Sequence, residues 1–145
     1  LKNGLNKMSK SDPSDQSRIN LMDDSISIIK KIQKARTDSE PFPKSLEEMD
    51  NRPEINNLIN IFSALSEDLP QNVVAQYVGK DFKFFKADLS DLVNQKISNI
   101  STEMHKLLKD LNYLDLILKK GCQKANEIAE KNVKDLKKII GFFEA

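Results

Sequence analysis

Residues 81–109 read D-F-K-F-F-K-A-D-L-S-D-L-V-N-Q-K-I-S-N-I-S-T-E-M-H-K-L-L-K, with no glycine or proline among them. Phe85, Leu89, Leu92, Val93, Ile97, Ile100, Met104, Leu107 and Leu108 recur there at three- and four-residue steps. That spacing predicts one long amphipathic helix with a single apolar face. A second begins near Asn112, its face formed by Leu118, Cys122, Ala125, Ile128, Ala129, Val133, Leu136, Ile140 and Phe143. Long apolar stripes joined by short turns must bury themselves against one another. The expected fold is therefore all-α, an antiparallel bundle of about four to five helices preceded by a flexible polar loop.

Working back from that stretch, Gly79 turns the chain, and Asp68 with Pro70 starts a short helix reaching about Tyr77. Pro53 in a first turn loses no hydrogen bond, so Asn51-Arg52-Pro53 marks a helix start. Ile55, Leu58, Ile59, Phe62 and Leu65 keep helical spacing behind it. The segment 40–50, with Pro41 and Pro43, is a loop. Asp23-Asp24-Ser25 reads as a cap, because its acceptors and negative charge suit the orphan N–H groups of a helix start. Ile28, Ile29 and Ile32 follow, with an end expected near Arg36 to Ser39. Residues 6–18 are polar apart from Met8 and are broken by Pro13.

Composition agrees. Leu, Ile, Val and Phe supply 42 of 145 residues, enough for a folded core, while glycine and proline total only nine. One cysteine, Cys122, excludes an internal disulfide, and one histidine, His105, excludes a His-rich metal site. Cys122 is expected to be a buried structural thiol, and His105 a partly exposed surface residue rather than a ligand. No apolar run approaches the ~18 residues of a membrane span, and no signal peptide is seen. The chain opens on Leu1 close to a motif, and is read as the C-terminal piece of a larger cytoplasmic protein. Net charge is +1, unevenly spread: residues 1–44 carry +3, 45–118 carry −5 and 119–138 carry +4. Anionic partners would be drawn to the two ends.

The most specific signal is Lys7-Met8-Ser9-Lys10-Ser11. Two lysines straddling a small hydroxyl residue offer movable positive charge and a hydrogen-bond donor to phosphate oxygens. Where a nucleoside triphosphate loses pyrophosphate, such a loop stabilises the charge growing on the leaving group. A solvated Lys/Ser loop is the plainer reading of the same five residues.

The segment resembles the KMSKS signature of class I aminoacyl-tRNA synthetases, with Asp12, Arg18 and the Asp23-Asp24 helix start following in the usual order. The resemblance narrows downstream to the bacterial-type tryptophanyl-tRNA synthetases. It runs through the segment from Ile32 to Ser39, Asp50-Asn51-Arg52-Pro53 with Asn57-Leu58, and Tyr77-x-Gly79-Lys80 with Phe85-Lys86-x-Asp88-Leu89. Tyr113-Leu114-Asp115, Ile117-Leu118, Gly121, Lys124-Ala125 and Ala129 complete it. Tyrosyl enzymes usually carry a KFGKS-like loop and an appended RNA-binding domain, and neither is present. The family's HIGH-type motif and tryptophan pocket have no counterpart in these residues.

The resemblance implies residues 1–20 as the signature loop of a catalytic domain and residues 21–145 as a helical anticodon-binding domain. It implies that Lys7, Met8, Ser9, Lys10 and Ser11 bind ATP, with Lys7 and Lys10 catalytic, Lys10 foremost, and Ser11 fixing the loop. The parent enzyme would use ATP with Mg2+, tryptophan and tRNA(Trp), and would dimerise through its catalytic half; no metal site and no membrane partner are implied. The chain alone would be inactive. Lys119, Lys120, Lys124 and Lys131 are either tRNA contacts or a solvated helix face. Arg36 to Ser39 is either part of the site or a capped turn. A reading from another class is a free-standing helical RNA- or protein-binding module without catalytic role.

Overall fold

The computed structural model describes residues 1–6 and 8–142. Among the described residues five helices make up the fold: α1 (Ser25–Gln33), α2 (Pro53–Ser66), α3 (Pro70–Tyr77), α4 (Phe82–Lys109) and α5 (Leu111–Ile140). Short 3-10 turns occupy Asp15–Ser17 and Glu47–Met49, and there is no strand among the described residues. The Asp24 carboxylate accepts the Ser27 N–H at 2.7 Å, closing the N-terminus of α1. Pro53 and Pro70 open α2 and α3 in the first turn. Gly79 turns the chain before α4 with φ +76°, a conformation that costs glycine nothing. Phe143, placed by its spacing on the apolar face of the last helix, lies outside the described residues.

The chain divides within α4 into two units, Leu1–Glu103 and Met104–Ala145. The first owns the core. Ile28 and Ile32 from α1, Ile55, Leu58, Ile59 and Phe62 from α2, Val73, Val74 and Tyr77 from α3, and Phe85, Leu89 and Val93 from α4 are all buried. Phe42 and Met49, from the loop between α1 and α2, close it. Four rings meet at the centre: Phe85 lies 5.2 Å from Phe42, 5.7 Å from Phe62 and 5.1 Å from Tyr77, centroid to centroid. The edge-to-face approach of Tyr77 to Phe85 suits the ring quadrupoles. The Tyr77 hydroxyl donates to Asp88 Oδ2 at 2.6 Å, and burial raises its pKa.

Two polar clamps lock the loop between α1 and α2 onto this core. Arg52 grips Asp38 with two bonds, Nε to Oδ2 at 2.8 Å and Nη2 to Oδ1 at 2.6 Å. Its Nη2 also donates to the Pro41 carbonyl at 2.9 Å. Lys86 Nζ donates to the carbonyls of Ala35 at 2.8 Å and Gln33 at 3.3 Å, stopping the end of α1 with positive charge. The turn at 36–39 is thus a held structural corner. The bond from Arg52 keeps the Asp38 carboxyl below the usual carboxylate range. The folded state therefore binds a proton less readily than the unfolded chain, whose Asp titrates near ~3.9. Stability from the pair is complete above that pH and lost as pH falls through the lower folded value. Arg52→Met is expected to cost about 1.5–3 kcal/mol near neutral pH by urea denaturation. The gap to wild type should close in acid as Asp38 takes up its proton.

In the second unit the outcome differs from the spacing. Leu118, Cys122, Ala125, Ile128, Ala129, Val133, Leu136 and Ile140 are all exposed, and no residue of α5 is buried. Cys122, expected as a buried thiol, is exposed and free. Leu107 and Leu108, at the far end of the α4 stripe, are likewise at least 40% exposed, as is Ile100 near the end of the first unit. A unit this small contains too little chain to bury a 30-residue stripe, since chains of about 40 residues rarely close a core. His105 is exposed, as expected.

Candidate functional site

The signature loop sits at the edge of the first unit. Met8, Ser9, Lys10 and Ser11 are all exposed, and Lys7 lies outside the described residues. The loop tip is held by its own atoms. Ser9 Oγ and Ser11 Oγ share a hydrogen bond of 3.0 Å, the Ser11 N–H donates to Ser9 Oγ at 3.3 Å, and the Asp12 N–H donates to the Ser9 carbonyl at 3.3 Å. Small hydroxyl residues make such turns because the side chain replaces a backbone acceptor two residues away. Among the described residues Lys10 has no ion-pair partner, so its ammonium is presented to solvent.

Below the tip the stem is pinned. Arg18 Nη1 donates to the Asp12 carbonyl at 3.0 Å, and its Nε to Asn20 Oδ1 at 3.2 Å. Lys31, on α1 and only 6% exposed, places Nζ 2.6 Å from Asp15 Oδ2 and 2.5 Å from Asp23 Oδ2. Burial alone would lower the Lys31 pKa, but the bonds to Asp15 and Asp23 outweigh it and hold it raised. The same bond from Lys31, with one from Asn20, keeps the Asp15 carboxyl low. Gln16 Nε2 donates to the Lys31 carbonyl at 2.9 Å, a third tie to the same turn of α1.

On the other side of the loop, Gly4 rests on the start of α2. A Cβ there would collide with the carbonyl of Pro53 and press on the Glu54 nitrogen, both backbone atoms that cannot swing aside. Gly4→Ala is expected to cost about 1–3 kcal/mol, as overpacking does, read as a drop in the urea midpoint of this unit. Between loop and helices lies a cavity of about 480 Å³. Its polar side carries Lys2, Asn6, Ser9, Asp12 and Arg18, and its apolar floor Ile61, Leu65, Val93 and Ile97. That volume is in the range of small-molecule sites.

Lys119, Lys120, Lys124 and Lys131 are exposed along α5, in the second unit. The sequence reading gave no role to Lys31 or Asp15, and named Arg18 only as a point of resemblance. A signal was there: Lys31 stands three residues after Ile28 and beside Ile32, on the apolar face of α1, where an unpaired cation is costly. The acids that pair it lie in the preceding turns.

An exposed Lys/Ser turn on a pinned stem, backed by a small helical core, is the arrangement to which the family comparison adds a class. The model for class I tRNA synthetases (W and Y) matches residues 1–100, and the chain belongs to that family. Its relatives include tryptophan–tRNA ligases of bacteria. The chain is 44% identical over 144 residues to that of Rhizobium meliloti, 46% over 142 residues to that of Agrobacterium fabrum, and 46% over 145 residues to that of Caulobacter vibrioides. These alignments take in 98–100% of this chain but only 40–42% of each relative.

Proposed function

We propose that this chain is the part of a tryptophan–tRNA ligase that supplies the mobile ATP-phosphate loop and the tRNA-binding helices. The observation that carries the reading is the exposed Lys10, without an ion-pair partner among the described residues, on a serine-locked tip, within a chain whose match to bacterial tryptophan–tRNA ligases spans nearly all of it. In the reaction, a carboxylate oxygen of tryptophan attacks the α-phosphate of ATP, forming the aminoacyl adenylate. The bond to the bridging oxygen breaks, and pyrophosphate leaves with the electron pair. Negative charge grows on that leaving group, and Lys10 and Lys7 meet it with ammonium groups, while Ser9 donates a hydrogen bond and Met8 lines the loop. Ser11 holds the tip through its bond to Ser9. The acyl group then passes to the 3′ end of tRNA(Trp), releasing AMP.

Magnesium would come with the nucleotide as part of the substrate, offsetting phosphate charge, and none of this chain's described residues is assigned to hold it. No helix of the described residues is long and apolar enough to cross a membrane. The likeness to tryptophan–tRNA ligases is what puts the proposed enzyme in the cytoplasm. The tryptophan pocket and the homodimer contact belong to the remainder of the ligase, so these 145 residues alone are expected to show no pyrophosphate exchange.

The helices carry the second half of the proposal. Lys119, Lys120, Lys124 and Lys131 contact the tRNA backbone. Replacing all four by glutamine is expected to weaken tRNA binding at low salt and flatten the dependence of log K on log salt by about one per lost phosphate contact. Filter binding across a salt series measures it. An unchanged slope would leave these lysines as a solvated face.

A further inference from the structure

The loop tip and the loop stem are held in different ways. Among the described residues, tip residues 8–11 bond among themselves and to Asp12, whereas the stem is fastened to α1 by a nearly buried lysine between two carboxylates. Asp15 lies four residues past Ser11, and Asp23 sits at the entry to α1. Arg18 passes the fastening on to the first residue beyond the tip, because one of its nitrogens holds the Asp12 carbonyl and another lies 3.4 Å from Asp15 Oδ1. Chain positions 12, 15 and 23 are thereby referred to one side chain on α1.

We infer that Lys31 is a positioning residue for the phosphate loop, fixing the base from which Lys10 reaches ATP. The inference rests on the nucleotide-loop reading above and adds to it a residue outside the signature. A purely structural lysine would influence folding and leave the loop's contribution intact. Lys31 instead sets where the tip starts, and a displacement of about 1 Å in catalytic geometry commonly costs of the order of 10²-fold in rate. Its effect must then run through Lys10, not beside it.

That dependence gives the test. ATP–pyrophosphate exchange is measured on the full-length ligase carrying Lys31→Met, Lys10→Ala, both, or neither, with circular dichroism melts of each. Lys31→Met is expected to lower kcat by about 10- to 100-fold with KM for tryptophan unchanged, and to add less than about threefold once Lys10 is already alanine. Asp15→Asn, which leaves Asp23 to pair the lysine, should give a smaller loss of the same kind and keep the protein folded if Lys31→Met does not. Full additivity of Lys31→Met with Lys10→Ala, or of Asp15→Asn with it, overturns the inference, as does normal exchange in both stem variants. If Lys10→Ala itself leaves exchange intact, the failure belongs to the nucleotide-loop reading instead.

Discussion

Phe85→Ala is expected to destabilise the first unit by about 3–5 kcal/mol, the range for removing a fully buried aromatic ring. Phe85 has no exposed surface and touches rings from three other segments: Phe42 in the loop before α2, Phe62 on α2 and Tyr77 on α3. Its loss leaves a void that no single neighbour is placed to fill, so relaxation recovers little. Domain stabilities are only about 5–15 kcal/mol, and such a loss approaches the lower end of that range. The near-ultraviolet signal of Tyr77, buried against the same cluster, should report the unfolding of this unit during a urea titration. Phe85→Leu, closer in volume, should cost clearly less. Equal losses from the two variants would show that ring packing is not what holds the centre.

The second large effect is chemical. Lys10→Ala in the full-length ligase is expected to lower tryptophan-dependent pyrophosphate exchange by about 10²–10³-fold, the range for removing one stabiliser of developing charge. The loss should appear in kcat and kcat/KM alike, since the proposed contact is to charge present only as pyrophosphate departs. The substitution should leave the melting curve unchanged, because Lys10 is exposed and has no ion-pair partner among the described residues. A rise in KM for ATP with kcat intact would mean that Lys10 holds ground-state phosphates only.

The helices of this fold were legible because their boundary signals are local. Asp24 caps α1, and Pro53 and Pro70 open α2 and α3, each for reasons contained within one turn. The stripe from Phe85 to Val93 was legible too: Phe85, Leu89 and Val93 are buried and Leu92 is partly buried against them, as its period requires. The stripe on α5 has the same period and is exposed. Periodicity identifies the face that seeks cover, and nothing in it says which surface provides the cover. Cys122 followed that stripe into the wrong environment.

The loop shows the same limit from the polar side. Lys7 to Ser11 stood out by composition, yet the residues fastening its base did not. The pairing of Lys31 with Asp15 and Asp23 spans 16 and 8 residues, and depends on how α1 packs. The Arg52–Asp38 clamp likewise joins two segments that the sequence offered only as separate points of resemblance. Ion pairs across loops need a fold before they have partners.

The most direct measurement is pyrophosphate exchange by the full-length ligase with each of tryptophan and tyrosine as the amino acid. The family covers both chemistries, and the relatives compared are tryptophan–tRNA ligases. Exchange that requires tryptophan, is not supported by tyrosine, and collapses on Lys10→Ala is the predicted result. Exchange supported by tyrosine, or by neither amino acid, would contradict the account.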